Sequence, residues 1–474
     1  MAPAVPAADP LLRRSPAGWV LAQGLPLALG LASHAAINLV DLAMVGRLGG
    51  AAVQAAHVGS TWNFLPMIVG NCVSTALLAQ ASRRLGAGDA AGARAFNRRA
   101  QWFMVWLGLL LGALTALPAA PMADLMRVEG EARSGAIAYL VVSNLGCAPM
   151  FVLMQTTAAM RAAGEAAMPL LLLLGANALN LALAVPLLFG WDAVGFDGVG
   201  VVGAAIAAVA ARAVAAAVGL WWLSRRRHPL SLRVDDQVAP APAVVRPLLV
   251  DAWPQALQIG LRAGLVLAMT PLVRVRGGEG ALVALGITTR FDTIVLFASL
   301  GFANAATAYA ARATVAGRAA AARAAGLWAG VYGGLLGSVF VAAMAFGSTW
   351  LVAVCLPSPP ATVLAAASAY FGAASWAQAL GAVALGAMGA IQGAGRMRVP
   401  LLGDLAGFTV VYGGLAAAAG ATAAAGPGTP DRVTTLYGAL VGGMAVVAVV
   451  HLALVQWGGW AEAEVRHNGM KPLS

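Results

Sequence analysis

Apolar stretches of about 20 residues, each long enough to cross roughly 30 Å of hydrocarbon as a helix, recur from Trp19 to Trp457. Inside lipid the peptide groups find no water, so a crossing backbone must bond to itself, and a helix does this within one segment. Only 10% of the 474 residues are Asp, Glu, Lys or Arg, against about a quarter in a soluble domain. The chain is therefore read as an all-α polytopic membrane protein. Twelve transmembrane helices are expected over residues 18–45, 52–80, 97–119, 135–158, 167–190, 198–223, 247–272, 280–310, 324–346, 363–390, 399–420 and 432–457.

The widest polar break runs from Ser224 to Pro247. It divides the chain into an N-terminal tail (1–17), a six-helix lobe (18–223), a linker (224–246), a second six-helix lobe (247–457) and a C-terminal tail (458–474). The opening "LLRRSPAGWVLAQ" has the shape of a twin-arginine leader. The apolar run continues past any cleavage point to Val45, so it is read as the first span.

Nothing in the sequence points to bond-making chemistry. Cys72, Cys147 and Cys355 show no paired spacing, and no CxxC, HExxH, GxSxG or phosphate-binding loop occurs. No enzyme activity, metal or cofactor is expected. The basic residues are nearly all Arg, which with abundant Ala and Gly suggests a GC-rich bacterial genome. They also orient the chain. With the N-terminus inside, the clusters Arg13–Arg14, Arg83–Arg99, Arg225–Arg246, Arg312–Arg323 and Arg396–Arg398 all lie on the inner side. The outer loops keep Arg47, Arg127, Arg133, Arg274, Arg276 and Arg432. This follows the positive-inside rule, places both termini in the cytoplasm and accounts for the net charge of +11 without a nucleic-acid partner.

The two halves repeat each other. "LPLALGLASHAAINLVDLAMVGRLGG" aligns with "WPQALQIGLRAGLVLAMTPLVRVRGG", matching Pro26 to Pro254 and Gly49–Gly50 to Gly277–Gly278. "RAAGEAAMPLLL" aligns with "QGAGRMRVPLLG", matching Gly164 to Gly395 and Pro169 to Pro400. Six is even, so the repeats share one orientation, as two bundles related by a pseudo-two-fold axis along the membrane normal. Transporters built this way bind substrate near the repeat interface.

Three segments, "VDLAMVGRLGG", "AQASRRLGAGD" and "RAAGEAAMPLLLLLGANALN", resemble the MATE (multidrug and toxic compound extrusion) family, and the resemblance extends over the whole chain. It implies a secondary antiporter that exports cationic or amphipathic compounds in exchange for protons or sodium ions. Asp41 matches the family's coupling acid at the end of the first helix, and Asn180 matches a polar residue that accompanies it. Two positions depart from the pattern. Ala184 stands where some members carry a second acid. Arg262 stands where sodium-coupled members carry a Glu, and the tenth helix has no acid. A C-lobe cation site built from those groups is absent, which favours H+ over Na+ as coupling ion.

The residues themselves support an ion site. An ionised Asp at the bilayer centre costs on the order of 2.5–3.5 kcal/mol on insertion scales, so a carboxylate there needs partners. His34, Asn38 and Asp41 follow i, i+4, i+7 spacing and share one helix face. Asn38 is expected to donate to Asp41, and His34 to relay a proton or to be a hydrogen-bonded interior histidine. Asn177 and Asn180, one turn apart, supply amides for a proton or sodium shell, or for interhelical contact. Tyr139, Asn144 and His57 are cavity-lining candidates. In the repeat, Arg262 takes the place of His34 and Met269 that of Asp41, so coupling is expected in the N-terminal lobe alone. Arg262 is expected to pair with Asp292 or to contact an anionic or zwitterionic substrate.

The expected function is multidrug efflux by a proton-coupled antiporter of the bacterial inner membrane. Its partners would be small cationic or amphipathic substrates and membrane lipid, and the protein is expected to be a monomer. The alternatives are a sodium-coupled exporter of the same family and a lipid-linked oligosaccharide flippase of the wider fold. A major-facilitator transporter fits less well, because the loop "SRRLGAGDAAGAR" lacks that family's pattern.

Overall fold

The structure, a computed structural model, describes residues 9–225, 228–233, 242–356, 358–423 and 430–462. Much of the linker and most of the C-terminal tail lie outside the described residues. Those described form helices, with a single isolated bridge between Trp191 and Phe196.

In the first half, α1 is Pro16–Gly46, α2 Gly50–Gly86 and α3 Ala90–Ala116. α4 consists of two pieces, Gly130–Leu145 and Cys147–Ala163, bent by 41° at Gly146. α5 is Ala167–Phe189 and α6 Val201–Leu223. Helix α3 starts well before residue 97 because Asp89 caps it, its carboxylate accepting from the Gly92 N–H at 2.8 Å.

The second half opens with one 74-residue helical stretch, Pro242–Val315. It is broken at Gly278, whose φ of 75° and ψ of −170° are not helical. A positive φ of that kind suits glycine, so the turn between two spans contracts to one residue. The part before Gly278 is α7 and the part after it is α8. Then come α9 (Ala319–Phe346), α10 (Ala361–Gly393, passing through a π turn at Tyr370–Ala374), α11 (Arg398–Ala423) and α12 (Pro430–Trp457).

Among the described residues ten helices are long and apolar enough to cross a membrane, and the bent α4 makes eleven. Division at Gly278 brings the total to the twelve expected. The repeat also shows in detail. A short helix follows the third span, at Ala119–Leu125, and another follows the ninth, at Ser348–Cys355.

Two compact units result. One comprises the chain up to Ala32, Gly86–Gly88 and everything from Trp253 onward; the other comprises Ser33–Leu85 and Asp89–Ala252. In the first, Trp19, Val20, Ala28 and Ala32 of α1 pack into a core with Ala298, Phe302, Ala306 and Tyr309 of α8. Glycines permit the closest approaches. A Cβ at Gly301 would meet the Ala28 backbone nitrogen at 2.3 Å, and one at Gly389 the Ala303 carbonyl oxygen at 2.3 Å. The N-terminal segment is tied down by Arg312, whose Nη1 donates to Asp9 Oδ2 at 2.8 Å, and by Arg318, whose Nη1 donates to the Leu12 carbonyl at 2.6 Å.

In the second unit, buried amides anchor the start of the linker. Asn97 Nδ2 donates to the Leu230 carbonyl at 2.9 Å, and Gln155 Nε2 donates to Asn97 Oδ1 at 3.1 Å. Glu165 accepts from Trp222 Nε1 at 3.0 Å and lies 3.4 Å from His228 Nε2. Burial pushes the Glu165 carboxyl up, but His228 and Trp222 outweigh it and hold the group below the usual value. Asn97→Leu leaves the Leu230 carbonyl and the Gln155 amide without partners. The expected loss is about 1–3 kcal/mol for each stranded group, read as a lower midpoint of thermal unfolding in detergent.

Candidate functional site

The polar residues of α1 and α5 meet within the second unit. Asn177 Nδ2 donates to Ser33 Oγ at 3.0 Å, and its Oδ1 lies 3.3 Å from His34 Nδ1. Two turns further along α1, Asn180 Nδ2 donates to both oxygens of Asp41, at 3.1 and 3.0 Å. One amide therefore spans the whole carboxylate. The other end of that amide, Asn180 Oδ1, is buried without a hydrogen-bond partner among the described residues.

The donor to Asp41 is thus Asn180. Asn38, expected in that role, is exposed on α1. Shared face and spacing place Asn38 near Asp41, but α5 approaches from the side where Asn180 can reach. The position of the missing second acid is an apolar core. Ala184 is 1% exposed and clusters with Val45, Ala56, Leu188, Ala204 and Ala207.

Tyr139, from α4, packs against that cluster. Its ring lies over α2 where Gly59 leaves space, since a Cβ there would fall 2.1 Å from Tyr139 Cδ1. His57 is exposed on α2, its carbonyl accepting from the Ser60 and Thr61 hydroxyls. Asn144 is fully buried in the bend of α4, where Gly112 of α3 comes close to its carbonyl. That places Asn144 in a helix–helix contact.

Arg212 of α6 was not among the candidate site residues. Its guanidinium interacts electrostatically with Asp41, His34 and Tyr139. The signal for it was present, an ionisable side chain inside the Ala-rich run "AAVAARAVAAAV". Arg212 thus brings a positive charge within electrostatic reach of Asp41.

In the first unit, the expected Arg262–Asp292 pair is not formed. Arg262 Nη2 donates to Asp404 Oδ1 of α11 at 3.0 Å. Asp292, 3% exposed, accepts from Tyr370 Oη at 2.7 Å and Ser375 Oγ at 2.8 Å at the π turn of α10. The reason lies in helix faces. α7 packs along α11, with Tyr412 donating to the Leu261 carbonyl at 2.9 Å and Arg276 to the Ala419 carbonyl at 2.7 Å. Arg262 shares that face, whereas Asp292 faces α10.

The sequence profile of the MatE family matches residues 26–185. A probable multidrug resistance protein NorM of Deinococcus radiodurans is 28% identical over 384 residues, which cover 80% of this chain and 83% of that protein. Among solved structures, the outward-facing conformation of a multidrug resistance MATE family transporter of the MOP superfamily superposes with a TM-score of 0.84 at 20% identity, covering 98% of this chain and 100% of that one. A MOP superfamily transporter from Pyrococcus furiosus, described by the reverse polarity of its binding pocket, gives 0.81 at 20% identity over 96% and 98% of the two chains.

Proposed function

We propose that the chain is a member of the MATE family, a reading that its profile match over residues 26–185 and its NorM relative support, and that it is a multidrug efflux transporter driven by protons, with Asp41 as the coupling carboxylate. The observation that carries this is the Asn180–Asp41 pair, a carboxylate inside an apolar helix held by one amide at 3.1 and 3.0 Å. Charged, Asp41 accepts both Asn180 N–H bonds. Protonated, it gains a hydroxyl donor, and Asn180 Oδ1, which has no partner in this arrangement, offers it an acceptor after a turn of the amide. Gain of the proton therefore gives the buried Asn180 Oδ1 a donor that it lacks among the described residues while Asp41 is charged, and removes the negative charge that a substrate meets.

In this reading the protein lies in a bacterial plasma membrane as a monomer with both termini in the cytoplasm. It exports cationic or amphipathic organic compounds; Ala184 stands where some relatives carry a second acid, and Arg262 where a sodium-coupled relative carries a Glu. Export by the purified protein in proteoliposomes, driven separately by a proton gradient and by a sodium gradient, tests the choice of ion. Accumulation of an amphipathic cation under the proton gradient alone is expected. Equal drive by sodium at constant pH would overturn proton coupling.

Arg212 favours a refinement of the substrate class. With Asp41 charged, the site around it carries no net charge from this pair, so zwitterions and monocations suit it better than dications. Two unit charges 4 Å apart interact by about 4 kcal/mol at an effective dielectric of 20, and the energy falls inversely with distance. Arg212→Gln is therefore expected to raise the preference for dicationic over zwitterionic substrates by roughly tenfold or more, measured as competition against a common fluorescent substrate. An unchanged ratio would remove Arg212 from substrate selection.

A further inference from the structure

The C-terminal half contains a cluster of ionisable groups that the coupling reading does not use. Asp404 of α11 and His451 of α12 are each 0% exposed. Arg262 of α7 joins them through its 3.0 Å bond to Asp404 Oδ1, and its guanidinium stands 5.4 Å over the Phe408 ring. His451 Nε2 lies 3.5 Å from the same oxygen, Asp404 Oδ1, without making a hydrogen bond. Asp404 Oδ2 is likewise buried and unpartnered among the described residues.

The imidazole orientation determines what this means. His451 Nδ1 is 2.9 Å from the Val447 carbonyl. A carbonyl only accepts, so Nδ1 carries the hydrogen. In the neutral ring Nε2 is then a bare lone pair, and it faces a carboxylate oxygen. The Pro400 carbonyl of α11, which also bears on the ring, is another acceptor. Lone pairs facing one another, away from solvent, leave buried polar groups unsatisfied. One proton on Nε2 resolves this, giving an imidazolium that donates at both nitrogens.

We propose that His451, with Asp404 as its counter-charge and Arg262 as the group that holds Asp404 in place, forms a second proton-binding site, separate from Asp41. The charged groups acting on His451 are Asp404 and Arg262. Of the other helices packed against α12, α10 has no Asp, Glu, Lys, Arg or His, and the Arg323 of α9 pairs with Glu462 beyond the end of α12. With a neutral ring the three groups sum to zero charge, and with a proton bound they sum to one positive charge. The two sites thus respond to a proton in different ways. Asp41 loses a negative charge, whereas the Asp404–His451 site gains a positive one next to Arg262. The C-terminal half then senses pH without the acids that a sodium site would need.

Histidine ¹⁵N resonances of the full chain in lipid nanodiscs, followed from about pH 5 to about pH 9, bracket the imidazole range and test this directly. His451 is assigned by its loss in His451→Gln, or in His451→Asn if the first variant does not fold. The ring is expected to pass from the Nδ1–H neutral form to the imidazolium within this range, in the unmodified protein and in Asp41→Asn alike. Removal of the negative charge in Asp404→Asn is expected to lower the half-titration pH by about one unit or more, and removal of the positive charge in Arg262→Gln to raise it. A ring that keeps one protonation state throughout would overturn the proposal. So would a half-titration pH that neither charge variant moves, because a merely structural triad predicts no opposite shifts.

Discussion

Asp41→Asn is expected to abolish proton-driven export while leaving the protein folded and able to bind substrate. The amide has nearly the shape of the carboxyl group and can pair with the Asn180 amide, which donates to Asp41 at 3.1 and 3.0 Å, so the α1–α5 contact should survive. What is lost is the exchangeable proton. A gradient of one pH unit supplies about 1.4 kcal/mol per proton carried, enough to concentrate a substrate about tenfold if one proton is exchanged without net charge movement. In the variant that concentration should fall to the level reached by passive leak, whatever gradient is imposed. Retained binding, measured by quenching of a fluorescent substrate, distinguishes uncoupling from misfolding. Export by Asp41→Asn at the unmodified rate would falsify the coupling role. His34 and Asn177 would then be the next polar pair to examine, since they join the same two helices at 3.3 Å.

The largest effect on folding is expected at Gly389. Helix α10 carries glycines at 372, 381, 386, 389 and 393, and three of them face another helix's backbone. A Cβ would meet the Ala329 carbonyl oxygen at 2.3 Å from Gly386, the Ala303 carbonyl oxygen at 2.3 Å from Gly389 and the Thr307 carbonyl oxygen at 2.3 Å from Gly393. Backbone cannot turn aside as a flexible side chain can. The contact is also hydrogen-bonded, since Thr307 Oγ1 donates to the Gly389 carbonyl at 2.9 Å. Gly389→Leu must therefore push α10 away from α8. Overpacking of this kind costs about 1–3 kcal/mol and sometimes more, and here it also removes the interhelical hydrogen bond. The expected result is a sharp fall in monodisperse protein after detergent extraction and a lower unfolding midpoint in what remains. Gly413→Ala, on an exposed face of α11 with no atom in the way, should leave both unchanged. Equal behaviour of the two variants would show that α10 does not pack as described.

Much of the architecture was legible before any coordinates. Hydrophobic length marked the spans, and the repeat was visible because Pro26 and Pro254, or Gly164 and Gly395, hold equivalent places in a folded unit. What misled was punctuation. The place of the break at Gly278 was legible, between the expected spans 247–272 and 280–310, but its form was not: a single backbone angle divides the helical stretch Pro242–Val315 where a loop was expected. Asp89 begins α3 earlier than its apolar run suggests because a cap satisfies N–H groups whether or not the following turn is apolar.

The candidate site was legible in part. Asp41 and Asn180 were both named from the sequence, and the fold brings them into contact. Arg212 was visible as a charge inside a helix but was given no part in the site. The partner of Arg262 was misjudged because spacing along the chain does not show which helix its face meets, and Asp404 with His451 drew no attention at all. Sequence by itself determined that this chain is a bundle of twelve spans in two like halves, since burial of apolar length in lipid and self-satisfaction of the backbone leave no other economy. Periodicity also determined which residues share a face of one helix. Only the tertiary structure decided which faces meet. That depends on glycine-scale clearances and helix bends spread over distant segments, and it is there that Asn180 reaches Asp41 and that Arg262, Asp404 and His451 become one cluster.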